Sequence, residues 1–364
     1  MRIRLEARPE PSRPMGWMSP LIAVAATLAV GFALFSGLGK NPFEAFHVFF
    51  VKPVETMYGF GELLLKATPL TLCAVGLAAG YRANVWNIGA EGQLTLGAIC
   101  GGGVALAFHD AGGAWVLPLM IVAGALGGMA WAAIPAWLRT RFNANEILTS
   151  LMLVYVAALL LSLLVHGAWR DPEGFNFPQS KMFNDFALLP NILDETRLNV
   201  GLLLALATVA AGWLFMSKSL AGFQMRVAGL APAAANYAGI SSSRTVWAGM
   251  LIGGATAGLA GVCEVAGPIG QLLPSVSPGY GFAAIIVAFV GRLHPVGILL
   301  ASLLMSLLYL GGESAQMTLA LPSAVTGLFQ GTLLFFLLAA DVLINYRVRI
   351  VRRVVAAPIE PAAA

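Results

Sequence analysis

Polar side chains are sparse in this sequence, and five of them stand inside otherwise apolar stretches: Asn87, Glu91 and Gln93 close together, then Glu264, then Gln330. A carboxylate there accepts hydrogen bonds, while an Asn or Gln amide both donates and accepts. That combination suits a hydroxylated or heterocyclic solute better than an ion. Two readings of Glu91 stand side by side: it receives a polar solute, or it pairs with Arg82 and braces the segment between them. Glu264 and Gln330 either line a cavity or bond to a neighbouring helix. Glu62 and Lys66 have i, i+4 spacing in the favourable order and are expected to pair with each other. Asn143, Asn145 and Glu146 have the pattern of a helix start, an amide to cap and a carboxylate at the positive end.

Other chemistry lacks its residues. Cys73, Cys100 and Cys263 have no metal or redox spacing and read as small buried hydrophobes. His47, His109, His166 and His294 are scattered, so neither a metal nor a cofactor is expected. No phosphate-binding G-x-x-x-x-G-K-[ST] occurs, and no Ser has His and Asp partners at a known spacing. The largest polar connection, 167–198, is too short for a nucleotide-hydrolysing domain. If ATP drives this protein, another chain hydrolyses it.

Composition then sets the elements that position these groups. Hydrophobic residues make up 59% of the 364 and charged residues 10%, against roughly 25% charged in globular proteins, and the mean hydropathy is +0.82. So few charges cannot cover a soluble surface of this size. The fold class expected is an all-α polytopic membrane protein. Ten apolar runs are long enough or nearly so to cross a bilayer: 16–38, 58–80, 93–108, 114–138, 146–166, 199–216, 245–266, 281–291, 295–310 and 322–344. The third, eighth and ninth are short for a hydrocarbon core of about 30 Å.

The net charge of +4 matters less than where the cations lie. With ten spans both ends share one side, and fifteen of the 21 Lys and Arg residues fall there, including Arg2, Arg82, Arg139, Arg226, Arg292 and Arg353. Lys40, Lys52, Lys66, Arg170, Lys181 and Arg197 are left for the other. The positive-inside bias predicts cytoplasmic termini: a tail at 1–15 before a retained anchor, a membrane domain at 16–345 and a tail at 346–364. On this map 167–198 is an exposed outer docking loop. The connection 217–244 is cytoplasmic, with a short surface helix expected within 229–240. Nothing resembles a basic groove with interleaved aromatics, so no nucleic-acid partner is expected.

Spans two to five and seven to ten start from opposite sides, as in an inverted repeat. Each set holds one Gly-punctuated polar interruption: 80–93, toward the inner end, and 267–281, toward the outer end. Irregular backbone at membrane depth needs protein or a water-filled path to satisfy it. Both segments are therefore pathway candidates, with ordinary interhelical turns as the alternative.

Five motifs in order carry a resemblance. They are Asn87-Ile88-Gly89-Ala90-Glu91-Gly92-Gln93, the run 143–153 that begins Asn143-Ala144-Asn145-Glu146, and Arg226-Val227-Ala228-Gly229-Leu230 through Tyr237-Ala238-Gly239-Ile240. Gly279-Tyr280-Gly281-Phe282 follows, and then Leu328-Phe329-Gln330-Gly331 with 338–343. Together, over about 60–345, the chain resembles permease subunits of bacterial ABC importers, in the nucleoside or simple-sugar branch related to ribose and branched-chain amino-acid permeases. The resemblance implies a bacterial inner-membrane subunit that pairs with a second permease subunit, as a heterodimer. It further implies an extracytoplasmic substrate-binding protein that hands over a small-molecule substrate, and a cytoplasmic ATPase subunit that drives uptake. By the same resemblance Arg226, Gly229, Pro232, Ala234, Tyr237 and Gly239 belong to the segment that contacts the ATPase, although 231–236 is more apolar than such segments usually are. The competing reading from another class is an ion-coupled secondary transporter using Glu91 and Glu264.

Overall fold

An apolar segment in lipid satisfies its backbone by closing its own hydrogen bonds, as a helix. The computed structural model describes residues 2–8, 12–110 and 112–351, and helices dominate it. In chain order they are α1 (Arg13–Gly37), α2 (Pro42–Phe46), α3 (Met57–Arg82), α4 (Ala90–Ala107), α5 (Val116–Phe142), α6 (Glu146–His166) and α7 (Gly201–Lys218). Then come α8 (Leu220–Leu230), α9 (Pro232–Tyr237), α10 (Ser242–Glu264), α11 (Tyr280–Val290), α12 (Pro295–Leu319) and α13 (Ala324–Asn345). Each of the ten expected segments holds a helix, and eight helices among the described residues are long and apolar enough to cross a membrane. The exceptions are α4, which carries Glu91 and Gln93, and α11, whose 11 residues rise only about 16 Å.

The ninth segment corrects its expected boundary. α12 continues past residue 310 to Leu319 because Gly311 and Gly312 pack against Phe49 and Thr326, and Glu313 finds Lys66 at 2.9 Å.

The chain divides into two units. In the smaller, from Met1–Pro42 and Gly327–Ala364, α1 meets the latter part of α13. The Ser19 hydroxyl donates to Asp341 at 2.7 Å, and the Phe35 and Phe329 rings lie 5.8 Å apart. Strand β1 (Arg2–Ala7) pairs antiparallel with β2 (Tyr346–Val351), so the two ends of the described chain lie side by side. Residues 352–364, with Arg352 and Arg353, lie outside the described residues.

The larger unit, Phe43–Thr326, is organised around α3 and α10. α3 packs against α10, α11 and α12, whereas α10 packs against α3, α4 and α5. Each of these two central helices thus packs against the two helices that follow the other. Small residues permit it: Gly80 faces Gly249, Gly97 faces Gly258, and Gly128 faces Gly254. In a membrane, where burial adds little between helices, such close backbone approach supplies the packing energy.

One face of this unit carries residues 167–198 and the far ends of α4, α10 and α12; we call it the loop face. The opposite face carries the end of α3 together with α8 and α9. The connection 217–244 contains the expected short helix, α9, which Pro232 starts, and a further helix, α8, which Ser219 caps through Gly222 N–H (2.9 Å).

Candidate functional site

Both interruptions re-enter the unit. After α3 ends at Arg82, Asn84 takes a left-handed conformation (φ 56°) and the chain turns back through 85–89 to start α4. After α10 a π-helical turn, Val265–Ile269, and Gly270 (φ 73°) reverse the chain on the loop face, and 271–279 run inward to start α11. From there α11 reaches the opposite face, where Phe289 stacks on Tyr81 at 5.3 Å and Trp86 at 6.0 Å. Sequence alone put these interruptions at opposite ends. The structure brings their inner ends together.

The meeting point is Glu91. Its carboxylate accepts a 2.6 Å hydrogen bond from Gly281 N–H, and the Ser277 hydroxyl and Gly279 N–H also donate to it. Gly279 has φ 96°, a conformation that favours glycine. A Cβ at Gly281 would overlap the backbone of Glu91. Two helix N-termini, those of α4 and α11, thus abut with one carboxylate between them, and both positive ends favour its charge. Glu91 does not brace Arg82, because the chain reversal after α3 carries it away; the charge near Arg82 is that of Arg226.

Asn87 and Gln93 hold the first turn-back in shape. Asn87 Nδ2 donates to Gln93 Oε1 at 2.9 Å and Gln93 Nε2 donates to Asn87 Oδ1 at 3.0 Å. Asn87 Oδ1 also accepts from Gly89 N–H at 3.0 Å, and Tyr81 Oη donates to the Asn87 carbonyl at 3.0 Å. Both amides are buried, at 1% exposure each, so the pair satisfies its own polar atoms. From outside, Ser150 Oγ accepts from Ile88 N–H at 3.2 Å. Glu146 pairs with Arg139 while Asn145 caps α6, accepting from Ile147 N–H at 2.9 Å, and Asn143 (φ 53°) ends α5 instead.

Glu264 is buried near the loop-face end of α10, and no hydrogen bond reaches its carboxylate among the described residues. Lys66 and Arg197 lie within electrostatic reach of it. The expected Glu62–Lys66 pair does not form: Lys66 goes to Glu313, and Glu62 takes a two-pronged bond from Arg197 at 2.9 and 2.6 Å. Bonding to Glu62 holds the Arg197 guanidinium above its ordinary pKa. A local spacing rule gave way because the 167–198 connection and α12 bring in stronger partners. Gln330 belongs to the smaller unit, where its Nε2 is buried without a hydrogen-bond partner among the described residues.

The second turn-back is laced to the loop. Ser180 N–H donates to the Leu272 carbonyl (3.0 Å), Phe183 N–H to that of Gly270 (2.8 Å) and Leu189 N–H to that of Ala266 (2.7 Å). Ser180 Oγ accepts in turn from Leu272 N–H at 2.9 Å. No spacing in the sequence signals this lacing, since nothing distinguishes Ser180 from an ordinary loop serine.

On the opposite face, Gly229 of α8 presses on the Arg82 carbonyl so closely that a Cβ would not fit. Met225 is buried with Ala83 and Val85 in one cluster, while Arg226 Nε is buried without a partner among the described residues. In α9, Ala235 is buried beside exposed Pro232 and Ala234 and a Tyr237 that is 97% exposed; Gly239 (φ 78°) follows in open space.

The family model described as branched-chain amino acid transport system / permease component matches residues 59–338, the stretch that holds both turn-backs. The chain belongs to this permease family. Relatives of the permease include the glucose ABC transporter permease protein TsgB13 of Haloferax volcanii, 37% identical over 96% of this chain and 95% of that one. The guanosine ABC transporter permease protein NupP of Bacillus subtilis is 30% identical over 87% of this chain and 91% of its own. The nucleoside ABC transporter permease protein NupB of Lactococcus lactis is 29% identical over 87% and 89%. The permease is accordingly a multi-pass membrane subunit of an ABC transporter, a system that includes an ATPase and a substrate-binding component.

Proposed function

We propose that this permease is half of the transmembrane path of an importer for nucleosides or simple sugars, driven by ATP hydrolysed on a separate cytoplasmic subunit. The observation that carries the reading is the junction at Glu91, where two non-helical segments entering from opposite faces meet end to end. Irregular backbone of this kind is kept at membrane depth where it lines a path. The substrate class rests on the relatives that are permeases for glucose, guanosine and nucleosides.

The second half of the path is a different but related permease. Two nucleoside permease proteins of one Lactococcus lactis strain, NupB and NupC, are both similar to this chain, which favours a heterodimer. We place both termini in the cytoplasm. The pairing of β1 with β2 keeps them on one side, and the excess of Arg and Lys on that side gives the direction. The face that carries α8 and α9 holds Arg82, Lys218, Arg226 and Arg244, so the same charge bias places it in the cytoplasm, and the loop face receives solute from an extracytoplasmic binding protein.

Coupling follows the packing. The ATPase engages Pro232, Ala234, Tyr237 and Gly239; Arg226 and Gly229 pass the movement to Arg82 and the 83–89 turn-back, whose Asn87–Gln93 pair carries it to Glu91. Glu91 holds the start of α11, and the lacing at Ser180 links that segment to the loop face. Within the larger unit, Glu264 and Glu91 are the polar groups offered to solute. ATP supplies the free-energy difference between inward-open and outward-open states.

The experiment is reconstitution with the partner permease, ATPase and binding protein, followed by uptake of labelled guanosine and glucose. Uptake that requires ATP and all four components is expected. Accumulation by this chain alone in ATP-free vesicles under a proton or sodium gradient would replace the reading with ion-coupled transport.

A further inference from the structure

On the loop face, the end of α4 and the loop that follows α6 border an open cavity of about 500 Å³. Its wall includes Gly103, His109, Asp110, Trp169, Arg170 and Lys181. It lies apart from the Glu91 junction and shares no lining residue with it.

The walls are fixed. Trp169 N–H donates to the Leu164 carbonyl (2.9 Å), and its indole packs on Gly103 where a Cβ would collide. The His109 carbonyl accepts from Asn184 Nδ2 at 2.7 Å. Lys181 follows Ser180, which is fully buried and bonded to Leu272.

Asp110 and Lys181 are exposed and Arg170 is half-buried, so their charged ends are open to water or to a ligand. Asp110, Arg170 and Lys181 form no ion pair or side-chain hydrogen bond among the described residues, although they carry opposite charges and share one cavity. His109 Nδ1 is buried with no hydrogen-bond partner among the described residues. A buried polar atom left unpaired costs about 1–3 kcal/mol unless something else bonds to it.

We infer that this cavity is a receiving site for the transported solute, occupied before the solute reaches the path. The volume falls within the roughly 300–1,000 Å³ of small-molecule pockets and far exceeds that of a single ion. A carboxylate acceptor, two cationic donors and an imidazole around an indole match a ring-shaped, neutral, polyhydroxylated solute: the hydroxyls bond to the rim and the ring lies on the indole. The choice of nucleoside or sugar rests on the importer reading above.

The test uses the assembled complex without its binding protein. Equilibrium binding of labelled guanosine and glucose is measured for the wild type, Trp169→Ala, Asp110→Asn and the exposed-site variant Lys181→Ala, alongside uptake with the binding protein restored. Expected are saturable wild-type binding of one probe, weakening of at least tenfold in Trp169→Ala and Asp110→Asn, and a smaller weakening in Lys181→Ala, whose surface position spares folding. The KM for uptake rises in parallel. Normal uptake with no wild-type binding, or with all three variants binding like the wild type, overturns the receiving site and leaves the importer reading standing. Absence of uptake of either probe by the complete wild-type system overturns both.

Discussion

The Glu91 carboxylate, in the first turn of α4, accepts a 2.6 Å hydrogen bond from Gly281 N–H, in the first turn of α11, 190 positions along the chain. The bond joins the inner ends of two segments that enter from opposite faces. Any rearrangement that opens one segment therefore has to keep this junction or break it.

Glu91→Ala removes the acceptor shared by Gly281, Gly279 and Ser277, and uptake by the assembled importer is expected to fall at least tenfold while the four components still co-purify. Glu91→Gln keeps an acceptor oxygen and should fall less. Gly281→Ala tests the close approach separately: the new methyl enters the Glu91 backbone, at a stability cost of about 1–3 kcal/mol, read as a lower Tm in detergent. Wild-type uptake in Glu91→Ala would remove the junction from the mechanism.

The Glu62–Arg197 pair is unequal. The Glu62 side chain is 7% exposed and that of Arg197 is 52% exposed, so Arg197→Ala strands a buried carboxylate while Glu62→Gln leaves a cation that water can reach. Losing the partner of a buried charge costs about 3–5 kcal/mol; the second change should cost about 1 kcal/mol. Thermal unfolding should rank wild type above Glu62→Gln and Glu62→Gln above Arg197→Ala, and Glu62→Gln combined with Arg197→Ala should recover part of the loss. The reverse ranking would show that Glu62 does not depend on Arg197.

Ser180→Ala deletes the oxygen that accepts from Leu272 N–H at 2.9 Å. Hydrogen exchange at the Leu272 amide should quicken at least tenfold, with a stability loss of about 1–3 kcal/mol. If the loop transmits the binding protein's arrival through this lacing, the stimulation of ATP hydrolysis by that protein should also weaken. Unchanged exchange would place the anchor of the second turn-back elsewhere.

Ala234 is exposed beside a Tyr237 that is 97% exposed, so changes at either site spare the fold. Ala234→Glu is expected to uncouple ATP hydrolysis from uptake, and Tyr237→Ala to reduce association with the ATPase several-fold. Both are read by co-purification and by the ratio of solute moved to ATP consumed. Normal coupling in both variants would shift the ATPase contact away from α9.

Sequence by itself determined what depends on local composition and short spacing. Charge scarcity established the membrane class, apolar runs located ten helices, Asn145 was legible as a cap, and five ordered motifs led to the permease family. Tertiary structure alone decided the partners of the buried charges. Glu62 bonds across 135 positions and Lys66 across 247, so the i, i+4 rule, which knows only one helix, paired them wrongly. The same reason hid the Glu91–Gly281 junction and the Ser180 lacing. In a low-dielectric interior a charge or an open backbone group goes to whichever partner packing delivers, and packing is a property of the whole chain.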